Sequence, residues 1–205
     1  MSIADEIGYE LEIQENMAIN DIKESHKDGI CIWVNGSGPS SSEEARYRIV
    51  MEAGALSKYM EKECPGKTAN QVMLTGIIDA LKCVLRPMRI YTISATALGF
   101  EKGLKGKGVN TLYFQKLFDL VREKKCQITE VQWKNGSYDL KKYIYSKSPD
   151  IREAQNFENK QNEKQLRFKE CIYRECLEKV TAILKEHYVN ENVIRKVNNV
   201  NPREN

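Results

Sequence analysis

Apolar spacing in the first third of the chain predicts three consecutive strands. Residues 30–34 form an apolar run that ends at Asn35-Gly36-Ser37-Gly38-Pro39, a sequence typical of a turn. Residues 45–52 alternate apolar and polar side chains, which is the period of a half-buried strand. Residues 56–63 are expected to pair with them. Three sequential strands predict an antiparallel meander.

From Asn70 the spacing becomes helical, because Val72, Ile77 and Leu81 fall on one helical face and Pro87 stops the pattern. Strands and helices then alternate. The predicted elements are a helix over 69–85, a strand over 88–93, a short helix over 95–102, a helix over 110–124, a strand over 126–133, a polar loop over 134–149, and a long charged helix from Asp150 with an Asn-rich tail after Tyr188 that is expected to fray.

Ahead of these elements, residues 1–27 form an acidic lead. Its apolar residues alternate over 9–13, as in a short strand, and their spacing over 17–22 suits a brief helix. We expect three parts: an acidic N-terminal extension over 1–27, one domain over 28–157, and a long C-terminal helix with its tail over 158–205.

The order of elements predicts an α/β fold with a mixed sheet. Strands that are reached through helices add in parallel to the meander, by right-handed crossovers. The expected product is a five-stranded mixed sheet flanked by helices.

Charge is uneven along the chain, although the net charge of the 205 residues is only +3. Residues 1–25 carry seven acids against one lysine, whereas residues 86–125 carry nine basic residues against three acids. Such asymmetry suggests a basic face and an acidic arm. The arm is hypothesised to cover the basic segment, so that deleting residues 1–25 would raise the affinity for nucleic acid. A solvated surface with uneven charge is the alternative.

Cysteine and histidine usage argues against a zinc site and against a disulfide scaffold. The six cysteines form no C-x-x-C pair, and there are two histidines. No signal peptide and no apolar run of membrane-spanning length is visible. A reduced, cytoplasmic protein without a membrane partner is the expectation.

Several segments between residues 28 and 157 resemble, in order, the motifs of the ribonuclease H (type 1) family. These segments are Asn35-Gly36-Ser37 with Gly38-Pro39, Thr68 through Thr75 with Ile78 through Lys82, Arg89 through Ser94, Asn110 through Leu120, Gln132-Trp133-Lys134, and Pro149 through Gln155. The resemblance implies the ribonuclease H fold. It also implies a nuclease in which four carboxylates hold two divalent metals that cleave the RNA of an RNA–DNA hybrid.

At the four positions that resemble the family's metal ligands, this chain has Asn35, Met73, Ile93 and Gln155. None carries a charge, whereas hard divalent cations require carboxylate oxygens. The resemblance therefore indicates a degenerate member, a pseudoenzyme with no intact catalytic residue, no bound metal and no cofactor. A shifted register of the last helix would bring Asp150 or Glu153 towards the site. The loop before that helix also lacks the family's histidine.

Two functions remain open for a protein with the ribonuclease H fold but without the family's metal-binding carboxylates. Binding of an RNA–DNA hybrid or another nucleic acid would use Lys102, Lys105 and Lys107, where some family members carry a basic loop, and the amides Asn70 and Gln71. Gly103, Gly106 and Gly108 would let backbone amides approach a phosphate. A solvated, flexible loop is the alternative for the lysines.

The second function is protein interaction through the C-terminal helix, with a second copy of the chain or another protein. Its apolar stripe includes Ile172, Cys176, Val180 and Ile183. Docking of this helix on its own domain is the simpler interpretation. An active hybrid ribonuclease with a rebuilt carboxylate site, dependent on Mg²⁺ or Mn²⁺, is the remaining alternative.

Overall fold

A six-stranded mixed sheet organises the first part of the chain. The structure is a computed structural model that describes residues 2–41 and 43–186. The elements are α1 (Ile3–Glu6), β1 (Glu10–Glu15), α2 (Ile19–Ser25), β2 (Ile30–Ser37), β3 (Arg46–Ala53), β4 (Leu56–Glu63), α3 (Ala69–Lys82), β5 (Arg89–Ser94), α4 (Phe100–Leu104), α5 (Thr111–Glu123), β6 (Gln127–Lys134), α6 (Ser137–Ser146) and α7 (Ile151–Glu186).

The predicted topology is confirmed for five of these strands. The order across the sheet is β1-β6-β5-β2-β3-β4. Strands β2, β3 and β4 form the antiparallel meander, while β5 pairs parallel with β2, and β6 pairs parallel with β5. The parallel strands are reached through α3 and through α4 and α5, as crossover connections require.

The sixth strand corrects the predicted strand number and the picture of an N-terminal arm. β1 pairs in parallel with β6 and so belongs to the same sheet. Ile7 and Ile22, on either side of β1, are fully buried. Deleting residues 1–25 would therefore remove part of the core, so a displaceable acidic arm does not fit this structure. The pairing joins residues more than 100 positions apart, for example Glu10 with Thr129, and no local pattern reveals it.

Helices α3 and α5 cover one face of the sheet. Helix α3 begins at a capping box, in which the Thr68 hydroxyl accepts from the Gln71 backbone and the Gln71 side chain accepts from the Thr68 backbone. Its buried side is Val72, Leu74, Ile77 and Leu81. These residues pack into the core between the helices and the sheet.

The opposite face of the sheet is covered by α2 and α6. A smaller cluster there joins Ile22 of α2 and Leu140 and Ile144 of α6 to the side chains of Trp33 and Trp133. The prediction of a polar loop over 134–149 is therefore wrong for residues 137–146, which form α6. The sequence SYDLKKYIYS is rich in polar and aromatic residues, so only two of its positions are buried, and its helical period was hidden.

Two compact units divide the chain between Ala154 and Gln155, three residues before the predicted boundary. Most of α7 lies in the second unit, and it exposes large apolar side chains. Within the described residues, no helix is both long enough and apolar enough to cross a membrane.

Candidate functional site

Three of the four predicted metal positions lie near the end of β2, two on one face of the sheet and the third on the other. Asn35 lies on β2, two residues after Trp33, whose parallel neighbour on β5 is Ile93. Side chains two residues apart on a strand share a face, so Asn35 and Ile93 lie on the side that α6 covers.

The third position, Met73 of α3, reaches the same region from the opposite face. A Cβ atom placed on Gly36 would lie 2.6 Å from Met73 Cγ and 2.8 Å from the carbonyl oxygen of Ala69. Glycine at position 36 therefore allows α3 to approach β2 this closely. The fourth position, Gln155, is an exposed residue of α7 in the second unit.

The two apolar members of this set are core residues. Ile93 is fully buried in the cluster that contains Trp33 and Val131, and Met73 is 8% exposed. An aliphatic side chain and a thioether fill space here without supplying an oxygen ligand.

A cation adjoins the neutral Asn35. Arg48 of β3 is the cross-strand partner of Asn35 and is 7% exposed. Residues directly opposite in an antiparallel pair share a face. The Arg48 guanidinium lies 4.9 Å from the centroid of the Tyr145 ring of α6, and its Nη2 is 3.1 Å from Glu61 Oε1. The neighbourhood of Asn35 thus contains a positive side chain that is anchored on two sides.

Glu61, the acid nearest to Arg48 in this network, is fully engaged by donors. Arg46 Nη1 lies 2.6 Å from the same Glu61 oxygen that meets Arg48, and the Tyr59 hydroxyl donates to the other oxygen at 2.9 Å. Burial, with the Glu61 hydrogen bond second, raises the pKa of the Tyr59 phenol. Glu61 therefore pairs with both arginines, and Arg46 pairs with Glu63 as well.

Glu52, on the same face of β3, holds a second network. Its carboxylate accepts from Trp33 Nε1 at 3.0 Å, from Lys23 Nζ at 3.1 Å and from the Tyr143 hydroxyl. Burial and the Glu52 hydrogen bond raise the pKa of Tyr143. The network ties α2, β2, β3 and α6 together, which explains how these helices are held over the sheet.

Glu130 of β6 is a third carboxylate with a structural role, and it is buried. It is 2% exposed and accepts from the backbone N–H groups of Leu98, Gly99 and Phe100, at 2.6, 3.1 and 3.1 Å. Tyr9 donates to it at 3.2 Å. A carboxylate at the start of α4 satisfies N–H groups that the helix leaves unpaired. Glu130 thereby fixes the chain that follows β5.

These engagements limit what the acids can do chemically. In the part of the chain that the structure describes, no group of three His, Cys, Asp or Glu side chains is placed to hold a metal ion. Asp150 is exposed near the end of the first unit, and the side chain of Glu153 lies outside the described residues.

The predicted basic segment is exposed, but its backbone N–H groups were expected to face a phosphate and instead donate within the chain. Lys102, Lys105 and Lys107 are all exposed. The N–H of Gly106 donates to Gly103 O at 2.9 Å, and that of Lys107 donates to Lys102 O at 3.0 Å. With Gly106 at φ +63, this is the Schellman end of α4. These two N–H groups already donate to carbonyl oxygens of α4. The prediction that the Gly106 N–H binds a phosphate is therefore wrong.

Gly103 also serves packing. A Cβ atom there would lie 2.2 Å from Cγ of Phe114, so glycine allows α4 to cross α5 closely. Gly108, with φ +100 and open space around it, stays compatible with the predicted approach of a phosphate.

The amides Asn70 and Gln71 lie in the first turn of α3. The Gln71 side-chain oxygen is occupied by the capping box. The Asn70 Oδ1 atom is buried, and among the described residues it has no hydrogen-bond partner. Lys67, just before α3, places its Nζ 5.2 Å from the ring centroid of Tyr113 in the first turn of α5. The starts of the two helices are therefore neighbours, on the side where the basic segment enters α5.

Sequence reasoning missed Arg48, Glu61 and Glu52. Arg46 and Arg48 were assigned to the polar side of a half-buried strand. One signal was available: two glutamates, Glu61 and Glu63, lie two residues apart on the next strand, as the two arginines do on β3. The register pairs Arg48 with Glu61 and Arg46 with Glu63.

The strand order and directions of β2 to β6, with the two crossovers, are those of ribonuclease H. The fold is ribonuclease-H-like. No family model matches the chain, and no curated protein matches it. Two ribonuclease H structures are among the solved structures that resemble it. One is the N-terminal RNase H domain of a Mycobacterium tuberculosis protein, solved as a fusion with maltose-binding protein, with TM-score 0.42, 14% identity, and coverage of 50% of this chain and 85% of that chain. The other is RNase H1 from the halophilic archaeon Halobacterium salinarum NRC-1, with TM-score 0.38, 14% identity, and coverage of 51% and 83%.

Proposed function

We propose that this chain is a non-cleaving, ribonuclease-H-like module that binds the backbone of a nucleic acid. The observation that carries the loss of cleavage is the pairing of Asn35 with buried Arg48, beside the fully buried Ile93. A guanidinium next to an amide and an alkyl group opposes the binding of a divalent cation, because like charges repel and hard oxygen ligands are missing. These residues do not fit a two-metal centre, so we derive no metal-dependent step.

The engagement of three acids supports the same proposal. Glu61, Glu52 and Glu130 each accept from three or more donors. Recruiting one of them as a metal ligand would take an acceptor from arginine, lysine or backbone N–H groups, at about 1–3 kcal/mol for each buried group that is left unsatisfied. The alternative, an active hybrid ribonuclease with a rebuilt carboxylate site, would have to meet that cost.

Nucleic-acid binding rests on the basic surface formed by Lys102, Lys105 and Lys107, next to the start of α5. Lys105 also forms an ion pair with Glu101 at 2.5 Å, but both groups are exposed, and such pairs contribute little. A phosphate can therefore compete for Lys105. Lys67, which contacts Tyr113 in the first turn of α5, adds a cation just before the start of α3, where Asn70 and Gln71 lie.

Cleavage and binding are tested on the same labelled substrates, an RNA–DNA hybrid and a single strand. With Mg²⁺ or Mn²⁺ we expect intact substrate, and binding that weakens as salt rises, by about 0.9 log units per log unit of salt for each duplex phosphate contacted. The variant Lys102→Ala/Lys105→Ala/Lys107→Ala should bind more weakly and show a smaller salt slope. The matched control is Lys160→Ala/Lys164→Ala/Lys169→Ala, with the same charge change on α7.

Two results would contradict these two claims separately. Cleavage that EDTA abolishes would support the rebuilt-site alternative. If both triple variants bound nucleic acid equally well, the basic segment would not be the binding surface.

Protein interaction through α7 is the second candidate. Leu166, Phe168, Ile172, Tyr173 and Val180 are 41–68% exposed on this helix. Exposed apolar side chains on a helix favour association with another helix. Analytical ultracentrifugation of the full chain and of the Ile172→Glu/Val180→Glu variant tests association with a second copy. A monomer at all concentrations would count against that form of the candidate.

A further inference from the structure

We propose that the free edge of β1 binds an extended peptide in which basic and aliphatic residues alternate, by adding a strand to the sheet. β1 ends the sheet order and has β6 as its neighbour. In a parallel pair, alternate residues direct their N–H and C=O groups away from the partner strand. Such an edge is a template for another strand.

The side chains of β1 define what that strand must carry. Leu11 and Ile13 share one face and are 47% and 50% exposed. Glu10 and Glu12 lie on the other face, because successive side chains alternate. An added strand matches this pattern when its aliphatic residues lie beside Leu11 and Ile13, and its lysines or arginines lie beside the glutamates. Each matched cross-strand pair contributes about 0.2–1 kcal/mol.

A second copy of β1 does not fit this edge. Antiparallel self-pairing about the centre of the strand would set Glu10 opposite Glu15, and parallel pairing would set Glu10 opposite itself. Like charges directly opposite are destabilising. The acidic edge thus disfavours its own copy and favours a basic strand.

The other edge of the sheet, β4, is also a poor partner for β1. Consider a second copy whose β4 pairs with β1, so that the two sheets form one continuous sheet. Glu61 and Glu63 of that β4 would then lie on the same face as Glu10 and Glu12. β4 also carries Lys58 and Lys62, and edge lysines are a common protection against strand addition. β1 has no lysine or proline, so it lacks that protection.

The acids of β1 differ in how strongly the fold uses them. Glu12 Oε2 lies 2.9 Å from Nε2 of buried His26, and Glu15 lies 2.7 Å from Lys134 Nζ. Glu10 is exposed at the start of the strand. Substitution of Glu10 therefore changes the charge of the edge with the least effect on folding.

The test uses the full chain and a blocked synthetic peptide of repeating Lys-Val. Control peptides are the same composition with lysines and valines in separate blocks, a repeating Glu-Val peptide, and the Lys-Val peptide with N-methylated valines. We expect binding of the alternating peptide alone, weakened by salt. Hydrogen exchange should show new protection of amides within residues 10–15.

Variants of the chain complete the design. Glu10→Lys should weaken binding of the Lys-Val peptide by about fivefold, as expected for reversal of an exposed charge pair. Ile13→Lys should weaken it further. Glu123→Lys makes the same charge change at the far end of α5 and should leave binding unchanged.

Three outcomes would overturn the proposal. Equal binding of the block and alternating peptides would mean general attraction to an acidic surface. Retained binding of the N-methylated peptide would exclude strand addition. Self-association that Ile13→Lys abolishes would mean that a second copy occupies the edge.

Discussion

Arg48 lies directly opposite Asn35 in the antiparallel pair of β2 and β3, and it shares the carboxylate of Glu61 with Arg46. The pairing places an ion network beside the end of β2, the region from which the ribonuclease H resemblance expects a metal ligand. A buried cation and the buried Ile93 thus lie beside the end of β2.

Removal of the Glu61 charge should destabilise the fold. Glu61→Gln removes the carboxylate that lies 3.1 Å from the guanidinium of Arg48, which is 7% exposed. We expect a loss of about 3 kcal/mol in the free energy of unfolding, since breaking a buried pair leaves an uncompensated charge. Urea denaturation measures this loss.

The double variant Arg48→Met/Glu61→Gln separates charge from packing. Methionine replaces the buried stem of arginine without its charge, so we expect most of the lost stability to return. A double variant as unstable as Glu61→Gln would show that the ion pair is not the source of the effect.

Alkaline pH should destabilise the fold through its buried tyrosines. Burial first, and then neighbouring carboxylates, raise the pKa of Tyr9, Tyr47, Tyr59 and Tyr143 above the ordinary value of 10.0. A phenol with a raised pKa in the folded state holds its proton longer than in the unfolded chain. Its contribution to stability is therefore complete below pH 10.0 and is lost as the pH rises through the folded-state pKa.

Unfolding at several pH values between neutrality and strong alkali measures that loss. Tyr47→Phe should flatten the alkaline limb, because the phenol that donates to Asp79 at 3.0 Å no longer titrates. Tyr138→Phe, at an exposed phenol, is the matched control. An identical pH dependence for both variants would contradict the assignment.

A methyl group at position 103 should destabilise the contact of α4 with α5. The added Cβ of Gly103→Ala would lie 2.2 Å from Phe114 Cγ, and overpacking of this kind costs about 1–3 kcal/mol. Thermal unfolding should show a lower midpoint. Lys102→Ala, at the exposed neighbour, should leave the midpoint nearly unchanged. A Gly103→Ala variant as stable as the wild-type chain would mean that the close contact of α4 with α5 does not require glycine at position 103.

Local periodicity was sufficient to predict β2 to β6, α3 and α5, because each buries one side of a regular pattern. It predicted the meander and the crossovers as well, since few topologies connect that order of elements. α6 was missed because its buried positions are few and its other residues polar. β1 was recognised as a possible strand, but its place beside β6 depends on a pairing across most of the chain.

The candidate site was predictable in part for the same physical reason. Asn35 and Ile93 share one face of the sheet near the end of β2, whereas Met73 lies on the opposite face. The compensating residues could not be derived, because the partnership of Arg48 with Asn35 and Glu61 depends on the register of two strand pairs. Charge alternation alone left both arginines on an ordinary polar face.

Titration of Mn²⁺ into the full chain, followed by electron paramagnetic resonance, measures whether the chain has lost the two-metal site. Loss of that site predicts no saturable Mn²⁺ binding by the wild-type chain. It also predicts no gain in Asn35→Asp, because the new carboxylate would pair with Arg48. Saturable binding of Mn²⁺ by the wild-type chain, abolished when an acid near β2 is neutralised, would contradict it.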